Sequence, residues 1–125
     1  MKYVRLRVTF SAETINPVHE AICDSRQVER DVLLYEDRSG PGRNTLLYRV
    51  DGDTEAFAGM LEAAPGVCEW EFTSTENGTF YAFVEEETPE DDEEILEALS
   101  RTGIMTVPPI EFASDRTATF TLIGT

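Results

Sequence analysis

Apolar and polar positions along Thr45–Phe72 change period twice. Leu46, Tyr48 and Val50 alternate with Arg49 and Asp51, the spacing of a half-buried strand. Phe57, Met60, Leu61 and Ala64 then fall at i, i+3, i+4 and i+7, one stripe on a helix, with Asp53 or Thr54 placed to cap it. Pro65-Gly66 stops that helix, and Cys68, Trp70 and Phe72 alternate with Glu69 and Glu71 in a further strand. Upstream, Val4, Leu6, Val8 and Phe10 alternate with Arg5, Arg7 and Thr9. Asn16-Pro17 opens a short helix with the stripe Val18, Ala21 and Ile22, and a second strand follows at about Val28–Glu36. The loop DRSGPGRN, 37–44, lacks the GxxxxGK[ST] pattern and joins two strands, so it reads as a hairpin and not as a phosphate cradle.

The order β-α-β-β-α-β over residues 1–74 predicts an α+β fold of the ferredoxin-like kind, antiparallel sheets with helices on one face. In that order the first strand lies between the third and fourth. Arg5 and Arg7 would then neighbour Arg49 on one side and Glu69 and Glu71 on the other.

After the turn Thr75-Glu76-Asn77-Gly78 the pattern restarts. Thr79–Val84 is apolar at nearly every position, which predicts a strand covered on both faces. Thr88-Pro89 begins a helix with Ile95, Leu96 and Leu99, and Gly103 stops it. Two strands follow, Ile104–Phe112 and Arg116–Ile123. Pro108-Pro109 suits an edge or a bulge. Leu46, Tyr48, Val50 and Gly52 match Ala118, Phe120, Leu122 and Gly124 at a fixed offset, so residues 75–125 read as an incomplete second unit, βαββ, packed with the first as one domain. Phe80, Val84, Phe120 and Leu122 would then need a cover from a second copy, from the first unit of the same chain or from residues that follow in a longer protein, and a two-fold dimer burying the second units is the expected one.

Charge narrows the function classes. The 125 residues hold 25 acids and 10 bases, a net −15, with Lys2 the only lysine. Such a chain repels nucleic acid and anionic membrane surfaces, and acid-rich, lysine-poor composition fits a cytoplasm of very high salt. There is no apolar run of membrane length, and the expected location is the cytoplasm. Eight carboxylates in the ten positions 85–94 lack the glycine-centred turn of a calcium loop and read as solvated surface.

His19 and Cys23, four apart on a helix, and Cys68 are the candidate metal-sensing residues. Without a CxxC or HxxxH pair they read as ordinary packing, so no metal and no cofactor is expected. His19 as the general base of a dimeric α+β barrel enzyme is the competing reading, but no acid or nucleophile stands at a recognisable spacing, and no catalytic set is assigned.

The segments NPVHEAICDS, VERDVLLYE, TLLYRVDGD, FYAFVEEET, LSRTGIMTVPPIEF and FTLIGT, in that order, resemble the N-terminal domain of haloarchaeal bacterioopsin-activator-like (Bat-type) helix-turn-helix transcriptional regulators. The resemblance implies a sensory or dimerisation domain with a small-molecule effector as one option. It implies DNA contact only through a C-terminal helix-turn-helix that this chain does not contain. The alternatives are the enzyme above and a free-standing ligand-binding module.

Overall fold

Among the described residues nine elements form from this pattern: β1 (Lys2–Thr9), α1 (Pro17–Cys23), β2 (Val28–Gly40), β3 (Arg43–Gly52), α2 (Thr54–Ala63), β4 (Val67–Ser74), β5 (Thr79–Glu87), β6 (Ile104–Ala113) and β7 (Thr117–Gly124). The computed structural model describes residues 2–9, 17–40, 42–75, 77–87, 103–113 and 115–124. The helix expected after Thr88-Pro89 lies outside them, as do the Asn16 cap and most of the acidic run.

All seven strands belong to one antiparallel sheet in the order β1-β7-β6-β2-β3-β5-β4. This overturns the expected fold. The protein is mostly antiparallel sheet with two short helices among the described residues, not a ferredoxin-like unit followed by a partial second one. The turn at Asn77-Gly78 accounts for much of the difference. Both residues take positive φ, 67° and 74°, as a tight hairpin turn requires. β5 therefore folds straight back on β4 and occupies the place beside β3 that was expected for β1. Closing that short loop is entropically cheaper than bringing β1 in from the far end of the chain.

β1 pairs with β7 at the opposite edge, where Arg5 faces Thr121 and Arg7 faces Thr119. Arg49 faces Val32 and Tyr81 instead. The proposed match of Gly52 to Gly124 also fails locally. Gly52 has φ +152°, and a Cβ there would meet the Gln27 carbonyl oxygen at 2.5 Å, whereas at Gly124 the nearest neighbour would be 3.6 Å away.

β5 keeps a strict period of two instead of being covered on both faces. Phe80, Ala82 and Val84 are buried, while Tyr81 and Phe83 are exposed. Phe80 and Val84 are thus covered within the chain, and the dimer argument that counted them as bare loses those two residues. Pro108-Pro109 lies in a central strand, not an edge. The β6–β7 ladder is interrupted between Val107 and Glu111 to admit it, as the bulge reading expects.

The core occupies one half of the sheet. Ile22 of α1 and Phe57 and Leu61 of α2 pack on Val28, Leu33, Leu46, Val50, Phe80, Ala82 and Val84. The rings of Phe57, Phe72 and Phe80 meet at centroid distances of 5.1–5.9 Å. Asp53 starts α2 as its N-cap, accepting from the Ala56 backbone N–H at 3.0 Å.

Candidate functional site

α1 carries His19 and Cys23 on the side turned to the sheet, beside β2 and β6. His19 is 3 % exposed and so is Asp31 of β2. His19 Nδ1 stands 3.8 Å from Asp31 Oδ1, ion-pair distance but too long for a hydrogen bond. The imidazole also packs on the Phe112 ring at 4.8 Å. Burial pushes the Asp31 carboxyl above its ordinary range, because a carboxylate out of water is costly, and the neighbouring His19 opposes that shift. Sequence reasoning missed Asp31. Its signal was there: it lies two residues before Leu33, in phase with the inward side of β2.

Cys23 ends α1 one turn beyond His19, its thiol 3.7 Å from the Ala113 carbonyl oxygen. Burial raises its pKa against the lowering effect of nearby Arg116, which keeps it a thiol and a poor nucleophile. Arg116 also reaches Glu20 and Asp24, each at 4.0 Å. Cys68 does not join this group. It sits on β4, the far edge of the sheet, with its thiol 3.5 Å from the Gly66 carbonyl oxygen. The three candidates therefore do not converge, and no cluster of three or more His, Cys, Asp or Glu side chains suited to a metal occurs among the described residues.

Phe112 links the buried pair to a larger feature. On the same face, Leu6 of β1, Ile110 and Phe112 of β6, and Ala118, Phe120 and Leu122 of β7 line an apolar groove of about 400 Å³, with Thr106 as the one polar wall residue among the described residues. That volume lies in the range of small-molecule sites. A second cleft, of about 510 Å³, lies at the ends of β3 and β5 and is polar. Its chemistry is internal to the fold. Arg30 donates to Asp51 Oδ2 from Nε and Nη2 at 3.2 and 3.0 Å, the Thr79 hydroxyl donates to Asp51 Oδ1 at 3.0 Å, and Asp53 is occupied in capping α2. Asp51, Asp53 and Thr79 of that cleft are thus engaged within the fold, whereas the apolar groove has the walls of a binding site.

Among the described residues these features define an antiparallel-sheet domain with a covered core at one end and an apolar groove at the other, next to a buried imidazole–carboxylate pair. Residues 16–125 match the model of the HVO_0513_N N-terminal family, and the chain belongs to that haloarchaeal protein family. No curated protein and no solved structure matches the chain. No described helix is long and apolar enough to cross a membrane.

Proposed function

We propose that this chain is the N-terminal sensory and regulatory domain of an archaeal transcription regulator of the Bat-type helix-turn-helix kind, working in the cytoplasm. In this reading DNA is contacted by a helix-turn-helix downstream, and this domain takes a small apolar effector in the groove. The groove is the observation that carries it: six apolar side chains from three strands converge on about 400 Å³ of open space. Membership in a haloarchaeal N-terminal family and a net charge of −15, which disfavours direct DNA contact, support the assignment.

The enzyme reading draws on Asp31 beside His19, an acid that could orient a general base. Against it, the imidazole is buried under Phe112, where a substrate would have to displace the ring. The gene beyond Thr125 gives the direct test. A helix-turn-helix in the same reading frame is the expected result, and a stop codon or an unrelated domain would overturn the regulator reading. The groove is tested separately with Nile red in molar potassium chloride. Saturable fluorescence should appear with the native chain and with Phe83→Ser, and be lost with Phe120→Asp. Equal binding by all three would place the dye elsewhere.

A further inference from the structure

The two edges of the sheet are complementary to each other on both faces. Among the described residues β1 and β4 each have one neighbour, β7 and β5, so each leaves one row of backbone groups unpaired. Every pairing in the sheet is antiparallel, and with an odd number of strands the two edges run in the same direction.

Their side chains alternate in matching phase. On the helix side, Leu6 and Val8 of β1 correspond to Trp70 and Phe72 of β4, the regular stretch that follows the bulge at Val67–Glu69; Leu6 lines the groove, and Trp70 and Phe72 pack on the core. On the other side β1 presents Arg5 and Arg7, and β4 presents Glu69 and Glu71. β1 holds three of the chain's ten basic residues, Lys2 among them, and no acid. β4 has the reverse composition. Glu69 also stands directly opposite Glu85 on β5, whose carboxylate is already paired with Arg43 at 3.6 Å, so an incoming cation would meet Glu69.

Charged edge strands usually protect against association. Here the protection works only between like edges: β1 against β1 brings arginines together, and β4 against β4 brings glutamates together. We propose that copies of this chain associate head to tail, β1 of one protomer adding in parallel to β4 of the next. Beyond the bulge at Val67–Glu69, Arg5 would align with Glu69, Leu6 with Trp70, Arg7 with Glu71 and Val8 with Phe72. The helix sides of both sheets then continue across the junction, apolar beside apolar, and the opposite sides pair arginine with glutamate. Arg7 already pairs with Asp115 at 3.0 Å within its own chain, so Arg5 with Glu69 is the pair that discriminates. Such a contact is heterologous and propagates into a ring or a filament; it does not stop at a two-fold dimer.

Sedimentation velocity of the chain from micromolar to millimolar, at fixed potassium chloride, tests this. Weight-average mass should keep rising past that of a dimer. Arg5→Glu and Glu69→Arg should each weaken association roughly tenfold, and Arg5→Glu with Glu69→Arg in one chain should restore it. Both positions are exposed, and circular dichroism of each variant confirms the native sheet before comparison. The restoring double variant is a result that no simple loss of structure would produce. A strict monomer at millimolar concentration, a dimer that adds no further copies, or a double variant no better than the singles would overturn the proposal.

Discussion

The two ends of the sheet share one backbone ladder but not one physical condition. Over β2, β3, β5 and β4 the helices bury ten side chains in a continuous cluster, and Phe57 and Val50 have no exposure at all. Over β1, β7 and β6 the same face carries Leu6, Phe120 and Leu122 as half-buried or exposed walls of a groove. Backbone pairing therefore extends further than side-chain burial does. The strands continue because alternation and hydrogen bonding suffice to add them, while most of the free energy of burial accrues where α1 and α2 sit. A scaffold half and a presenting half follow from that division.

The largest expected effect separates them. Phe57→Ala removes a ring touching both Phe72 and Phe80 and should cost about 3–5 kcal/mol. Phe120→Ala, in the open half, should cost under about 1.5 kcal/mol, since that ring has less burial to lose. Chemical denaturation of the two variants measures this, and equal losses would break the comparison.

A smaller effect belongs to the junction of β3 and α2. Gly52→Ala forces a Cβ against the Gln27 carbonyl at a φ that side chains avoid, and should cost more than about 1 kcal/mol. Gly59→Ala, on the exposed face of α2 with nothing near its Cβ, should instead stabilise slightly.

How much of this was legible in the sequence follows from what periodicity encodes. Alternation assigns a residue to a face, and it placed Leu46, Val50 and Phe72 inward and the α2 stripe on the core. It does not name a strand's neighbour. The order β3-β5-β4 depended on the Asn77-Gly78 hairpin, which was recognised as a turn while the strand after it was assigned to a separate unit. The helix spacing brought His19 and Cys23 to one side. Cys68 joins them in the sequence as a third soft ligand on an inward-facing strand position, and the sheet order puts it at the far edge. Asp31 carries its signal in its phase with Leu33, which points it inward, and not in its residue type.

Salt sharpens the picture on the chain as a whole. A net charge of −15 favours expansion when screening is weak. The thermal midpoint should rise steeply from low salt to molar potassium chloride; a flat or falling midpoint would contradict the halophilic reading.

The smallest effect concerns the boundary between the halves, where Asp31 lies. Its folded-state pKa is raised above the ordinary 3.8, so the folded protein binds that proton more tightly than the unfolded chain. Asp31 thus favours folding below pH 3.8, and that contribution is lost as pH rises through the raised value. Asp115 acts in the opposite sense. Its pKa is lowered, first by the Thr117 hydroxyl and then by Arg7, so its contribution is present above 3.8 and lost as pH falls. Asp31→Asn should remove the Asp31 component and leave that of Asp115. Stability of the variant relative to the native chain should therefore increase as pH rises above 3.8, and a pH-independent difference would count against the buried carboxyl.

Amide hydrogen exchange followed by mass spectrometry tests the division of the sheet most directly, in molar potassium chloride at a concentration where the chain is monomeric. Peptides from β3 and β5 should show the strongest protection, close to that of global unfolding, and peptides from β1 and β7 should exchange through smaller openings. Uniform protection across all seven strands, or stronger protection in β1 and β7 than in β3 and β5, would contradict the account.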